Sequence, residues 1–249
     1  STAGMMIEDR TRTYTIAMER TVVPENFSFR MTDEEYRVLE KIKNSIPVCY
    51  LADHADFALG IVTGNNKKFL SAEKTEHSEM VLKGTDICKY HINPVKQYLR
   101  FEPEQFQQVA PLEIYRAPEK LLYRFISNQL VVAYDDRQML SLNSCNIVIP
   151  KIEGMQIKYI LAILNSSVSQ FVYQKEFHSI KVLRAHMEHI PIPRVGKAIQ
   201  NEIIAMTEPL ICGMGKEAAE TCQKRLDCRI MDLFRLSAEE QWIIRHALH

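Results

Sequence analysis

The sequence lacks an excess of charge of either sign. Its 249 residues carry 31 Lys+Arg against 31 Asp+Glu, so no global field draws it to nucleic acid or to an anionic membrane, and any charge argument has to be local. Paired cysteines are also missing. Cys49, Cys88, Cys145, Cys212, Cys222 and Cys228 are scattered, with no C-x-x-C and no compact histidine spacing. That pattern argues against a structural zinc site and for reduced thiols in a cytosolic protein. No apolar run approaches the roughly 20 residues that cross a bilayer, and the start has no signal-peptide pattern. The expectation is a cytoplasmic protein with no membrane contact.

Enzyme signatures are missing as well. Gly60 and Gly64 stand too close for a P-loop, and no Gly-Lys-Ser/Thr follows them, which excludes a Walker site. The Glu-x-Lys with which many nucleases hold Mg²⁺ occurs nowhere. Gly213-Met214-Gly215-Lys216-Glu217-Ala218 fits the letters of a dinucleotide fingerprint, but Pro209 and a predicted helix precede it where a strand is required, so it reads as a turn between helices. Asn93-Pro94-Val95-Lys96 begins like the Asn-Pro-Pro-aromatic motif of amino-methyltransferases without its second proline or its aromatic ring, and also reads as a turn. Asp135 and Asp136 are adjacent and would face opposite ways on a strand, which again favours a turn over a paired-carboxylate site. No catalytic, cofactor-binding or metal-ligating residue is assigned.

What is present is an ordinary globular composition, 46% hydrophobic and 25% charged, enough for one sizeable core or two small ones. Charge divides along the chain: residues 1–60 hold 7 basic against 10 acidic residues, 61–194 hold 17 against 13, and 195–249 hold 7 against 8. Only the middle block is basic. Residues 1–31 show no clear period and read as an arm. Thr32-Asp33-Glu34-Glu35 reads as a capping box opening a helix that ends near Asn44. From Phe57 to Pro150 come short β-rich runs, FALGIV, LEIYRA, LLYRFI, LVVAY and NIVIP, with no helix between each pair. From Met155 to Phe177 the apolar period is helical. Two further helices are predicted at 197–208 and 216–235, and a second capping box at Ser237–Glu240 opens a last one. The fold class is α+β: a curved, mostly antiparallel sheet, a long packed helix and a C-terminal helical segment.

Four stretches, in order, resemble a known family: GIVTGNNKKF (60–69), KLLYRFISNQLVVAYDD with LNSCNIVIP (120–136 and 142–150), YILAILNSSVSQFVY (159–173) and VLRAHMEHIPIP (182–193). They look like the TaqI-like C-terminal specificity domain, the target recognition domain of N6-adenine DNA methyltransferases and fused restriction-modification enzymes. TDEEYRVLEKI and LDCRIMDLFRLSAEE resemble its flanks. The resemblance implies sequence-specific recognition of double-stranded DNA by a module that does not itself catalyse. It further implies a methyltransferase domain upstream in the same polypeptide, holding S-adenosylmethionine, in a prokaryotic restriction-modification or phage-defence system. On this reading residues 1–56 are the arm and linker helix, 57–195 the recognition domain and 196–249 the C-terminal helical segment. A protein-protein scaffold and an unrecognised nuclease remain as alternatives.

DNA binding needs Lys and Arg for phosphates and planar side chains for bases. The candidates are Thr63, Gly64, Asn65, Asn66, Lys67 and Lys68 in the first loop, then Lys120, Arg124 and Asn128, then Lys175, His178, Lys181 and Arg184. For Asn65 and Asn66 two roles stand side by side, a contact to base edges or the geometry of the turn. The second and third groups could equally be plain solvated faces.

Overall fold

The computed structural model describes residues 4–8, 13–17, 31–177 and 179–248. The chain runs through the hairpin β1 (Gly4–Glu8) and β2 (Thr13–Ala17), then α1 (Asp33–Asn44), β3 (Val48–Cys49), β4 (Ala55–Ala58) and the one-turn α2 (Asn66–Phe69). There follow β5 (Leu70–Ser71), β6 (Ser78–Leu82), β7 (Tyr98–Arg100), α3 (Leu112–Tyr115), β8 (Lys120–Arg124), β9 (Val132–Asp135), β10 (Leu140–Ser141) and β11 (Cys145–Pro150). The last part is α4 (Ile157–Asn165), α5 (Ser167–Glu176), α6 (Arg184–Glu188), β12 (Ile192–Pro193), α7 (Lys197–Cys212), α8 (Lys216–Leu233) and α9 (Ala238–Ala247).

The central sheet has the order β4-β11-β8-β9, antiparallel throughout. Successive residues of a strand point to opposite faces, and here both faces are covered. Leu121, Tyr123, Val132, Tyr134 and Val148 join one core with α1, α4, α5 and the C-terminal helices. Leu122, Ala133, Cys145 and Ile147 join a second core with the smaller sheet β10-β6-β7-β5, in which only the β6–β10 pair is parallel. A strand buried on both faces reads as an unbroken apolar run, which is why KLLY and NIVI show so little alternation. Leu121 and Leu122 are neighbours on opposite faces and both are fully buried, each contributing on the order of 2 kcal/mol.

Both capping boxes form. Thr32 Oγ1 accepts the Glu35 N–H at 3.2 Å and Glu35 accepts the Thr32 N–H at 3.0 Å, and Ser237 with Glu240 repeats the arrangement at 3.2 and 2.7 Å. Lys41 of α1 then pairs with Glu240 of α9 at 2.6 Å, so the first and last of these helices close on each other. One core passes from Val38 through the sheet to Ile203, Leu226 and Ile244.

Three expectations change. The helix predicted from Met155 to Phe177 is two, because Ser166 takes extended backbone, donates its N–H to the Ile163 carbonyl to end α4, and accepts the Ser169 N–H to start α5. LEIYRA is not a strand: Pro111 starts the one-turn α3 in its place. β5, β6 and β7, which no run in the sequence signalled, build the smaller sheet. Residues 213–215 form the α7–α8 turn and 216–218 open α8, with Gly213 at φ +80°, where a β-carbon would be strained. Among the described residues no helix is long and apolar enough to cross a membrane.

Candidate nucleic-acid interface

Strand direction brings only parts of the predicted clusters to one end of the central sheet. The register sets Ile147 against Ala58, Cys145 against Arg124, and Val132 against Tyr123. The ends of β4 and β8 and the starts of β9 and β11 therefore share one end of the central sheet, and the loops 59–65, 125–131 and 142–144 leave from it.

The first loop is fastened before it reaches solvent. A β-carbon on Gly60 would lie 2.1 Å from the Leu142 carbonyl oxygen, so only glycine permits that approach. Ile61 and Val62 then bond to Ser141, Asn143 and Gln108. Beyond them the polar residues hold one another. The buried Thr63 hydroxyl donates to Asn66 Oδ1 at 2.6 Å, Asn65 Oδ1 caps α2 by accepting the Lys68 N–H at 3.2 Å, and Gly64 sits at φ +73°. Both asparagine oxygens thus shape the turn. Lys68 donates to Gln105 Oε1 at 2.6 Å, and Phe69 anchors the loop against Phe106 at 5.1 Å. Lys67 is exposed and closes no salt bridge among the described residues.

The second cluster is a stitched pair of segments. Ser127 N–H donates to the Ile180 carbonyl at 2.9 Å and Val182 N–H to the Phe125 carbonyl at 2.8 Å, joining the β8–β9 turn to residues 179–182. The Tyr173 hydroxyl donates to the Ser179 carbonyl at 3.2 Å, and His186, stacked on Phe177 at 4.4 Å, accepts the Leu183 N–H. Burial, more than any partner, lowers the His186 pKa. What this platform presents is Asn128, Lys181 and Arg184, all exposed. Lys181 lies 5.9 Å over the Phe125 ring, and Arg184 lies 5.2 Å over the Phe57 ring while pairing with Glu188 at 2.7 Å. Ile126 and Ile180 stand beside them, 53% and 71% exposed.

Three candidates are placed elsewhere. Lys120 is fully buried on the second face of the sheet, directly across from Asp135. Its ammonium pairs with that carboxylate at 2.6 Å and donates to the Tyr115 carbonyl at 2.6 Å. Burial lowers its pKa and Asp135 raises it. Asp135 also accepts the Arg137 and Met139 N–H groups, both at 2.9 Å, so this carboxylate belongs to the end of β9 and not to an exposed turn. Lys175 is buried and pairs with Glu35 at 2.8 Å, locking α5 to α1. Arg124 holds the Gly84 and Ile87 carbonyls. All three are basic residues with structural partners, which charge alone does not reveal. His178 lies outside the described residues.

Sequence reading missed the amides that bound the turn. β9 is an edge strand, and an unpaired edge invites foreign strands. Here Asn165 accepts the Val132 N–H at 3.1 Å and donates to its carbonyl at 2.8 Å, while Gln170 does the same to Leu130 at 3.0 and 2.9 Å. Tyr90, at φ +75°, adds backbone bonds to Val132 and Tyr134. Nothing in the one-dimensional pattern marks these residues except a polar pair inside an otherwise apolar helical run. Among the described residues no cluster of His, Cys, Asp and Glu suits a metal ion.

Residues 79–192 match the family model of the TaqI-like C-terminal specificity domain. No curated protein sequence matches the chain. Among solved structures, the type IIL restriction-modification enzyme MmeI in complex with DNA is similar with a TM-score of 0.52 and 10% identity, over 79% of this chain and 35% of that one. The type IIG restriction endonuclease BpuSI is similar at 0.46 and 11% identity, over 90% and 35%. The HsdS subunit from Thermoanaerobacter tengcongensis is similar at 0.42 and 14%, over 86% and 50%. At these identities the likeness is one of fold. The chain spans between about a third and a half of the proteins it resembles.

Proposed function

We infer that this chain, whose residues 79–192 match the family model of the TaqI-like C-terminal specificity domain, recognises a specific sequence in double-stranded DNA and positions it for a separate catalytic domain. The observation that carries the reading is the platform at one end of the sheet, where the stitched 125–128 and 179–182 segments present Asn128, Lys181 and Arg184 together. Cations at phosphates supply affinity and register, and a planar amide such as that of Asn128 can read adenine in the major groove. Lys67, exposed on α2, offers a further cation.

The role is recognition without catalysis. The reaction, transfer of a methyl group from S-adenosylmethionine to adenine, belongs to a separate methyltransferase domain, and the setting is prokaryotic cytoplasm and a restriction-modification or phage-defence system. Because the middle block carries a surplus of only four positive charges, 17 against 13, the isolated chain binds DNA weakly, in the range of ~10⁻⁴ to 10⁻⁶ M.

The test is a salt titration of duplex binding by fluorescence anisotropy. Lys181→Ala with Arg184→Ala lowers the log-log slope by about 2, since each lost phosphate contact removes about 0.9. An unchanged slope removes the platform from the interface. Cleavage of plasmid by the chain with Mg²⁺ would overturn the recognition reading altogether.

A further inference from the structure

A groove of about 550 Å³ opens between the β8–β9 turn, α5 and the last two helices. Three cations, Lys89, Lys224 and Arg245, line it against one acid, Asp227. That carboxylate is already committed, accepting the Ser167 N–H and hydroxyl at 2.8 Å each. Lys89 and Arg245 both feel its charge without closing a salt bridge to it. The Lys89 ammonium donates only to the Asn165 carbonyl, at 3.3 Å. Arg245 donates to Gln241 Oε1 at 3.2 Å and to the Cys228 and Met231 sulfurs at 3.4 and 3.8 Å. Lys224 is exposed and closes no salt bridge among the described residues.

Lys224 and Arg245 stand exposed at the mouth of this concave surface and close no salt bridge among the described residues, so both are open to an anion from outside. The lining carries a formal excess of two positive charges over Asp227, and Gln129 and Gln174 add amide donors at the rim. Gln129 is the residue after Asn128, so the groove borders the platform described above.

We propose that this groove binds a backbone phosphate of the duplex, extending the DNA footprint from the specificity domain onto α8 and α9. The proposal rests on the reading of the chain as a DNA-recognition module. A duplex lying across Asn128 reaches the groove by passing the β8–β9 turn, and guanidinium and ammonium groups at the mouth are suited to a phosphodiester.

The experiment uses the full chain with a labelled duplex, compared with the Lys224→Gln/Arg245→Gln variant. Both side chains are exposed, and the melting temperature of the variant is measured alongside, because Arg245→Gln also removes bonds to Gln241, Cys228 and Met231. Its log-log salt slope is expected to fall by about 1, since one phosphate contact is lost. Inorganic phosphate and a nucleoside monophosphate are titrated in parallel. An unchanged slope, with duplex binding otherwise intact, overturns the phosphate site and leaves the recognition module standing. Tight binding of the free phosphate or nucleotide that is lost in the variant, with the duplex slope unchanged, assigns the groove to a soluble anion and equally overturns the proposal. Absence of duplex binding by the parent chain overturns both readings.

Discussion

Lys120 and Lys181 carry the same charge in the same basic block, yet one is sealed between two strands and the other stands at the edge of the sheet. Lys120 has no exposure and two acceptors at 2.6 Å, whereas Lys181 has one aromatic ring below it and solvent above. The difference teaches that a basic block is not a basic surface. Of the lysines and arginines singled out for DNA, Lys120, Lys175 and Arg124 hold the fold together, Lys68 is held by Gln105 and Arg184 by Glu188 at the surface, and Lys67 and Lys181 stand exposed without a salt bridge among the described residues.

Breaking the sealed member of the comparison has the largest effect. Lys120→Ala leaves Asp135 buried without its counter-charge and costs about 3 to 5 kcal/mol, measured by urea denaturation. The variant's folded fraction should keep the parent's salt slope for DNA; a lower slope would put Lys120 at the interface. Lys175→Ala separates α5 from α1 and costs about 2 kcal/mol, because Glu35 keeps its capping bond to Thr32. If the Glu35→Gln/Lys175→Met double variant were less stable than Lys175→Ala, the ion pair would not be the source of that loss.

The first loop sharpens the comparison within ten residues. Asn65→Ala removes the α2 cap and costs about 1 kcal/mol with no change in salt slope, whereas Lys67→Ala leaves the melting temperature alone and lowers the slope by about 1. Reversed outcomes would exchange their roles. The smallest effect is one of pH. The neutral His186 ring accepts the Leu183 N–H, and burial lowers its pKa, so its contribution is present above the unfolded value and is lost as pH falls through the folded one. The protection of the 183–187 amides, taken relative to their intrinsic exchange rates, should fall below about pH 6.5, and His186→Gln should abolish that dependence.

The elements of the fold were largely legible, for reasons that specific residues make plain. Thr32 with Glu35 and Ser237 with Glu240 announce helix starts through local bonding, and local bonding is what a sequence displays. The helical run beginning at Ile157 was equally clear, but its break was hidden, since Ser166 ends one helix and starts the next without glycine or proline. The site was less legible. Whether a lysine is exposed depends on cross-strand register, and nothing near Lys120 in the chain shows that Asp135 will stand opposite it. Lys89, Lys224 and Arg245 are assembled only by tertiary packing. In the 60–69 loop the sequence shows the polar residues but not their roles: Asn65 and Asn66 have their oxygens in the turn, and Lys67 is open.

The side-chain amides of Asn165 and Gln170 grip the chain at Val132 and Leu130, and Cys145 grips it at Arg124 through the β8–β11 ladder. The five residues between, Phe125 to Gln129, are therefore bounded on both sides by bonds that do not depend on their own identity. Such a segment behaves as a cassette: its side chains can be exchanged while the rim that holds it stays closed, so under the proposed recognition role a new DNA target needs no rebuilding of the sheet.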